Sequence, residues 1–96
     1  MAAYSIVYMP TAKEDIQETL EYYDTHIPGQ SERFLQALYD AEASLASTPQ
    51  VYGFLEQEPL LRFKKLEKLR FIIIFEIVDD LVYIYSVRHT SRDSFI

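Results

Sequence analysis

The last third of this chain collects the residue types that could move a proton or hold an anion. Arg62, Lys64, Lys65, Lys68 and Arg70 crowd one stretch, and VYIYSVRHTSRDSF, residues 82 to 95, adds Arg88, His89 and Arg92. A histidine with an ordinary pKa of about 6.5 can give or take a proton near neutrality. Arginine and lysine can hold the charge of a phosphate. Tyr85 and Phe95 offer ring faces on which a nucleic-acid base can stack. Each of these residues also has a plain structural use: a histidine at a strand end is commonly a hydrogen-bonded surface group, and lysines on a strand often guard its edge. His26, beside Ile27 and Pro28, reads as a surface turn residue.

Charge is unevenly spread. Through Leu61, Lys13 and Arg33 stand against ten acidic residues, a balance of −8; from Arg62 onward seven basic residues meet five acidic ones, a balance of +2. The net charge of −6 argues against a general nucleic-acid binder, because phosphate affinity comes mainly from Lys and Arg displacing counterions. Cysteine is absent and the two histidines lie far apart, so neither a disulfide framework nor a zinc site is expected. Packing must hold the chain together, and with 49% hydrophobic residues over 96 positions it reads as one domain, 1–96, with a real core. No basic leader or long apolar span is evident; the chain reads as a soluble cytoplasmic protein.

The elements that would position the cations follow from periodicity. YSIVYM, residues 4 to 9, is a first strand stopped by Pro10. Ala12, Ile16, Leu20 and Tyr23 recur at helical spacing, with Thr11 and Glu14 as a capping box, Glu14 and Asp15 at the positive end, and an end near Asp24. After the break at Pro28-Gly29, Phe34, Leu35, Leu38, Ala41 and Leu45 give a second apolar stripe that Pro49 closes. The rest is strand-like: LLRFKKL, RFIIIFEIV and LVYIYSVRH. The middle run is too apolar for an edge and belongs at the sheet centre. The predicted fold is α+β, in the order β-α-α-β-β-β, with a helix hairpin on one face of an antiparallel sheet.

If Asp79-Asp80 is a two-residue loop, Val78 pairs with Leu81, Phe75 with Ile84 and Arg70 with His89. Phe71, Ile73, Phe75 and Ile77 then face the helices with Val82 and Ile84. Arg70, Ile72, Ile74 and Glu76 take the other face with Tyr83, Tyr85, Val87 and His89. Arg62 and Lys64, or else Phe63 and Lys65, join that second face from the preceding strand. Such a face could stack a base and hold a phosphate.

These residues resemble the RelE/ParE toxin superfamily of type II toxin–antitoxin systems. YSIVYMPTAKEDIQETLEYY is similar to its opening strand and helix, RFLQALYDAEASLASTP to its second helix, and RFIIIFEIVDDLVYIYSVRHTSRD to its closing hairpin with the V-x-H-x-x-R-D finish. The resemblance implies a small cytoplasmic, growth-inhibiting protein of the plasmid-stabilising kind, neutralised by a cognate antitoxin, with no cofactor, metal or membrane; a homodimer stays open. RelE-like members cut mRNA on the ribosome without a metal, and ParE-like members inhibit DNA gyrase. For RNA cleavage the resemblance assigns His89 as acid or base, Arg62 and Arg70 (with Arg88) to the phosphate, Lys64 or Lys65 as cation or perturbed base, and Arg92, Phe95 and Tyr85 to the substrate. RelE-like nucleases are usually basic and tend to end in a tyrosine; this chain carries −6 and has Phe95 there, and phenylalanine stacks but transfers no proton. An inactive toxin-fold module that binds an antitoxin is the third reading. Convergence of the cations and His89 on one face favours RNA cleavage over gyrase inhibition.

Overall fold

The structure is a computed structural model and describes residues 3–66 and 68–90. The elements run β1 (Ser5–Tyr8), α1 (Pro10–His26), α2 (Gln30–Ser47), a 3-10 turn (Pro49–Val51), β2 (Arg62–Lys65), β3 (Phe71–Val78) and β4 (Leu81–His89). The predicted order holds. The sheet is arranged β1-β4-β3-β2, with β1 parallel to β4 and the other pairs antiparallel. The apolar β3 is interior, as its composition requires.

Pro10 opens α1 at a position where a missing N–H costs nothing. The expected capping box does not form: Met9 is the cap residue, without a side-chain bond, and Glu14 and Asp15 lie past the first turn. Thr11 is used elsewhere, its hydroxyl donating to the Tyr85 carbonyl at 2.6 Å. The helix runs on to His26, whose Nδ1 lies 3.0 Å from the Tyr22 carbonyl and whose ring stacks on Tyr22 at 4.4 Å. Gly29 then turns the chain with φ 90, a conformation a side chain would oppose. Ser31 on α2 donates to Asp24 at 2.6 Å and closes the helix pair.

Both helices press on one face of the sheet. Phe34, Leu38, Ala41 and Leu45 of α2 and Ala12 and Tyr23 of α1 bury against Phe71, Ile73, Phe75, Val82, Ile84 and Val87. The Phe34 and Phe71 rings meet edge to face at 5.2 Å. Removing one such ring from water contributes about 1.5–3 kcal/mol, so this layer is the main source of stability.

The opposite face is covered at its middle. Ile72 and Ile74 point there and are 0% and 5% exposed. The connection before β2 folds back: Leu55 N–H donates to the Leu61 carbonyl at 2.9 Å, Phe63 N–H to Gly53 at 3.1 Å, and Leu55 and Leu61 line a pocket with Ile74.

Candidate functional site

The β3–β4 hairpin begins as predicted. Asp79 adopts φ 55 in the turn, which aspartate tolerates, and Val78 pairs with Leu81, Ile77 with Val82, Glu76 with Tyr83 and Phe75 with Ile84. Between Ile74 and Phe75 the register shifts, and Ile74 pairs with Ser86, Ile73 with Val87, Ile72 with Arg88 and Phe71 with His89. Tyr85 is therefore an extra residue in β4, a β-bulge in which two residues oppose one. Everything beyond it changes sides relative to the uninterrupted ladder.

Two expectations are corrected, and Arg88 gains a place. His89 does not face Arg70; it lies opposite Phe71, on the helix side, with its ring edge to face against Phe71 at 5.0 Å. Val87 is in the core at 2% exposure, not on the far face. Arg88 takes the far-face place beside Ile72.

The basic strand β2 divides in the same way. Arg62 pairs with Phe75 and Lys64 with Ile73, on the helix side, whereas Phe63 and Lys65 pair with Ile74 and Ile72 on the far side. Arg62 is tied down: its guanidinium donates to the carbonyls of Tyr52 at 2.7 Å and Gln50 at 3.2 Å and lies 4.0 Å over the Phe54 ring. Lys64 Nζ sits 4.9 Å over Tyr52. Of the five residues expected to converge with catalytic roles, Lys65 and Arg70 share the far face, joined there by Arg88, while His89, Arg62 and Lys64 are on the other. Arg92 and Phe95 lie outside the described residues.

Tyr85 keeps its far-face position, and its hydroxyl donates to Glu76 Oε1 at 2.7 Å. That bond to a carboxylate, more than burial, raises the phenol above its ordinary value.

Asp15 is the residue that sequence reasoning missed. β1 covers β4 only as far as Ile84. Beyond that α1 takes its place, and Asp15 Oδ2 accepts from Val87 N–H at 3.0 Å and from the Ser86 hydroxyl at 2.8 Å. Ser86 Oγ in turn accepts from Arg88 Nε at 2.8 Å. The carboxylate thus ends the ladder and fixes Arg88. Its only trace in the sequence is a place three residues after Ala12, at the border of the apolar stripe.

Two clefts meet at Arg88. One, of about 500 Å³ on the far side, is lined by Thr11, Glu14, Asp15, Glu58, Ile74 and Ser86 among others. The second, of about 850 Å³ between α1 and the sheet end, includes Glu18, Tyr22, Tyr23, Phe71 and His89. Arg88 stands at the border between the cationic sheet end and a carboxylate-lined hollow. No helix among the described residues is long and apolar enough to cross a membrane.

A family model described as ParE toxin of type II toxin-antitoxin system, parDE, matches residues 6–94. The chain belongs to the ParE toxin family. It is thus a toxin of the ParDE kind, whose system supplies an antitoxin partner. Among solved structures, a chain titled "Chromosomal ParDE TA system from P. aeruginosa" superposes with TM-score 0.78 at 18% identity, over 91% of this chain and 96% of that one. At that identity the likeness is one of fold. No curated protein matches this ParE chain in sequence.

Proposed function

We propose that this ParE toxin arrests growth by binding DNA gyrase and not by cutting mRNA. The observation that carries the reading is the bulge at Tyr85. Cleavage through a ribose 2′-hydroxyl needs a proton acceptor, cations at the phosphate and a donor to the leaving oxygen, all around one scissile bond. The expectation of RNA cleavage rested on His89 facing Arg70 with Arg62 and Lys64 alongside. In the fold His89 is half-buried against Phe71 on the helix side, Arg62 is bound to backbone carbonyls, and Lys65, Arg70 and Arg88 on the far face have no histidine among them. What remains there is a surface suited to recognition. The overall charge of −6 fits the same reading, since docking on a ribosome favours a basic protein.

The test is a pair of assays on one purified sample. The protein should block ATP-dependent supercoiling of relaxed plasmid by gyrase and leave mRNA on translating ribosomes intact. Cut mRNA with unimpaired supercoiling would return the chain to the nuclease reading. Neither effect, with normal growth on induction, would make it an inert antitoxin-binding module.

A further inference from the structure

We infer that the sheet end built from Lys65, Lys68, Arg70 and Arg88 is a docking surface for an acidic segment of a partner protein. Pairing of Lys65 with Ile72 and of Ile72 with Arg88 makes a single cross-strand row on the far face. Arg70 directly precedes β3 and its carbonyl accepts from Thr90 N–H at 2.7 Å, which extends the β3–β4 ladder by one residue, so alternation assigns it to the side of Ile72. Lys68 stands in the turn between β2 and β3. All four residues are exposed, and within the described residues Lys65, Lys68 and Arg70 make no side-chain hydrogen bond or ion pair. Lys68 moreover holds φ 64, a conformation that costs a lysine energy and a glycine almost none. Arg88 is anchored by Ser86 and Asp15. In a chain of net charge −6, this is a local concentration of positive charge with an anchored arginine at one side.

The size and surroundings of the patch select the partner. Three adjacent strands span about 10 Å, the reach of two or three carboxylates on one side of an extended chain. A nucleic-acid duplex carries a continuous line of phosphates, which past Arg88 would run onto Glu14, Asp15 and Glu58. A short acidic protein segment can end where the cations end. Complementary charge of this kind mainly sets partner choice and association rate. This is the face left for recognition in the reading above, but its acidic partner need not be the target enzyme, so a failed peptide test leaves the supercoiling result standing.

Fluorescence anisotropy with a labelled poly-glutamate peptide and, separately, a labelled DNA duplex tests it on the full chain. The peptide should bind, more weakly as salt is added. The Lys65→Glu, Arg70→Glu double variant should lose about tenfold in affinity. The Lys13→Glu, Arg33→Glu variant, which changes net charge equally on the helices, should bind like the parent. Lys65→Gln with Arg70→Gln should weaken binding in the same direction, which guards against a folding artefact of charge reversal. Equal loss in both Glu variants, no peptide binding, or binding of the duplex in place of the peptide would each overturn the proposal.

Discussion

The two halves of β4 obey different rules. Leu81–Ile84 lies between β1 and β3, and there the register counted from the turn is the register found. Ser86–His89 has β3 on one side and, on the other, α1 with a single aspartate closing the ladder. One extra residue separates the two. A strand flanked by strands keeps its phase because each slip would move a whole set of apolar side chains out of the core. Where a helix replaces the neighbouring strand, that constraint ends, and the chain can bulge to bring Val87 inward. The bulge also decides the chemistry, because it puts Arg88 and not His89 beside Lys65 and Arg70.

The comparison is broken most severely at Val87. Val87→Asp should cost about 4 kcal/mol or more, enough to unfold the domain, because it buries a charge without a partner. Arg88→Gln, one residue on and exposed, should cost far less, about 1 kcal/mol for the bond from Nε to Ser86. Equal effects would mean that the second half of β4 does not alternate as described. Asp15→Ala comes next, at about 2 kcal/mol, since it leaves Val87 N–H and Ser86 without their acceptor; urea titration measures it.

The first half of the sheet offers a pH test. The Tyr8 hydroxyl donates to Glu42 at 2.8 Å, and burial foremost, then that carboxylate, raise its pKa well above the usual tyrosine value. A raised folded-state pKa means that stability is full below the unfolded pKa of about 10 and falls as pH rises beyond it, because only the unfolded chain then releases the proton. Tyr8→Phe should cost about 1–2 kcal/mol at neutral pH and flatten the alkaline decline in thermal melting. The smallest effect belongs to Thr11→Val, about 0.5–1 kcal/mol, which removes the exposed hydroxyl bond to the Tyr85 carbonyl at the bulge itself.

Much of this was legible in the residues. Helical spacing from Ala12 to Tyr23 and from Phe34 to Leu45 placed both helices, and the unbroken FIIIF run placed β3 in the interior. The hairpin loop at Asp79-Asp80 was readable too. The bulge left a faint mark: apolar residues alternate at Val82 and Ile84, and the next buried apolar one is Val87, three positions on where two would keep the phase. Tyrosines on both sides of Ile84 hid that slip. The role of Asp15 left only its place at the border of the apolar stripe, because it acts 72 residues away from Val87 in sequence, and local pattern carries no information about such a contact. Thr11 misled for the opposite reason: a strong local capping signal was overridden by a carbonyl that the bulge left pointing at it.

The functional reading stands on the side to which His89 turns. Through-space proton contacts from the His89 ring, measured by NMR on labelled protein, test that most directly. The fold predicts contacts to the Phe71 ring, 5.0 Å away between centroids. Contacts from His89 to the Arg70 and Tyr85 side chains, with none to Phe71, would restore the uninterrupted register and contradict the account.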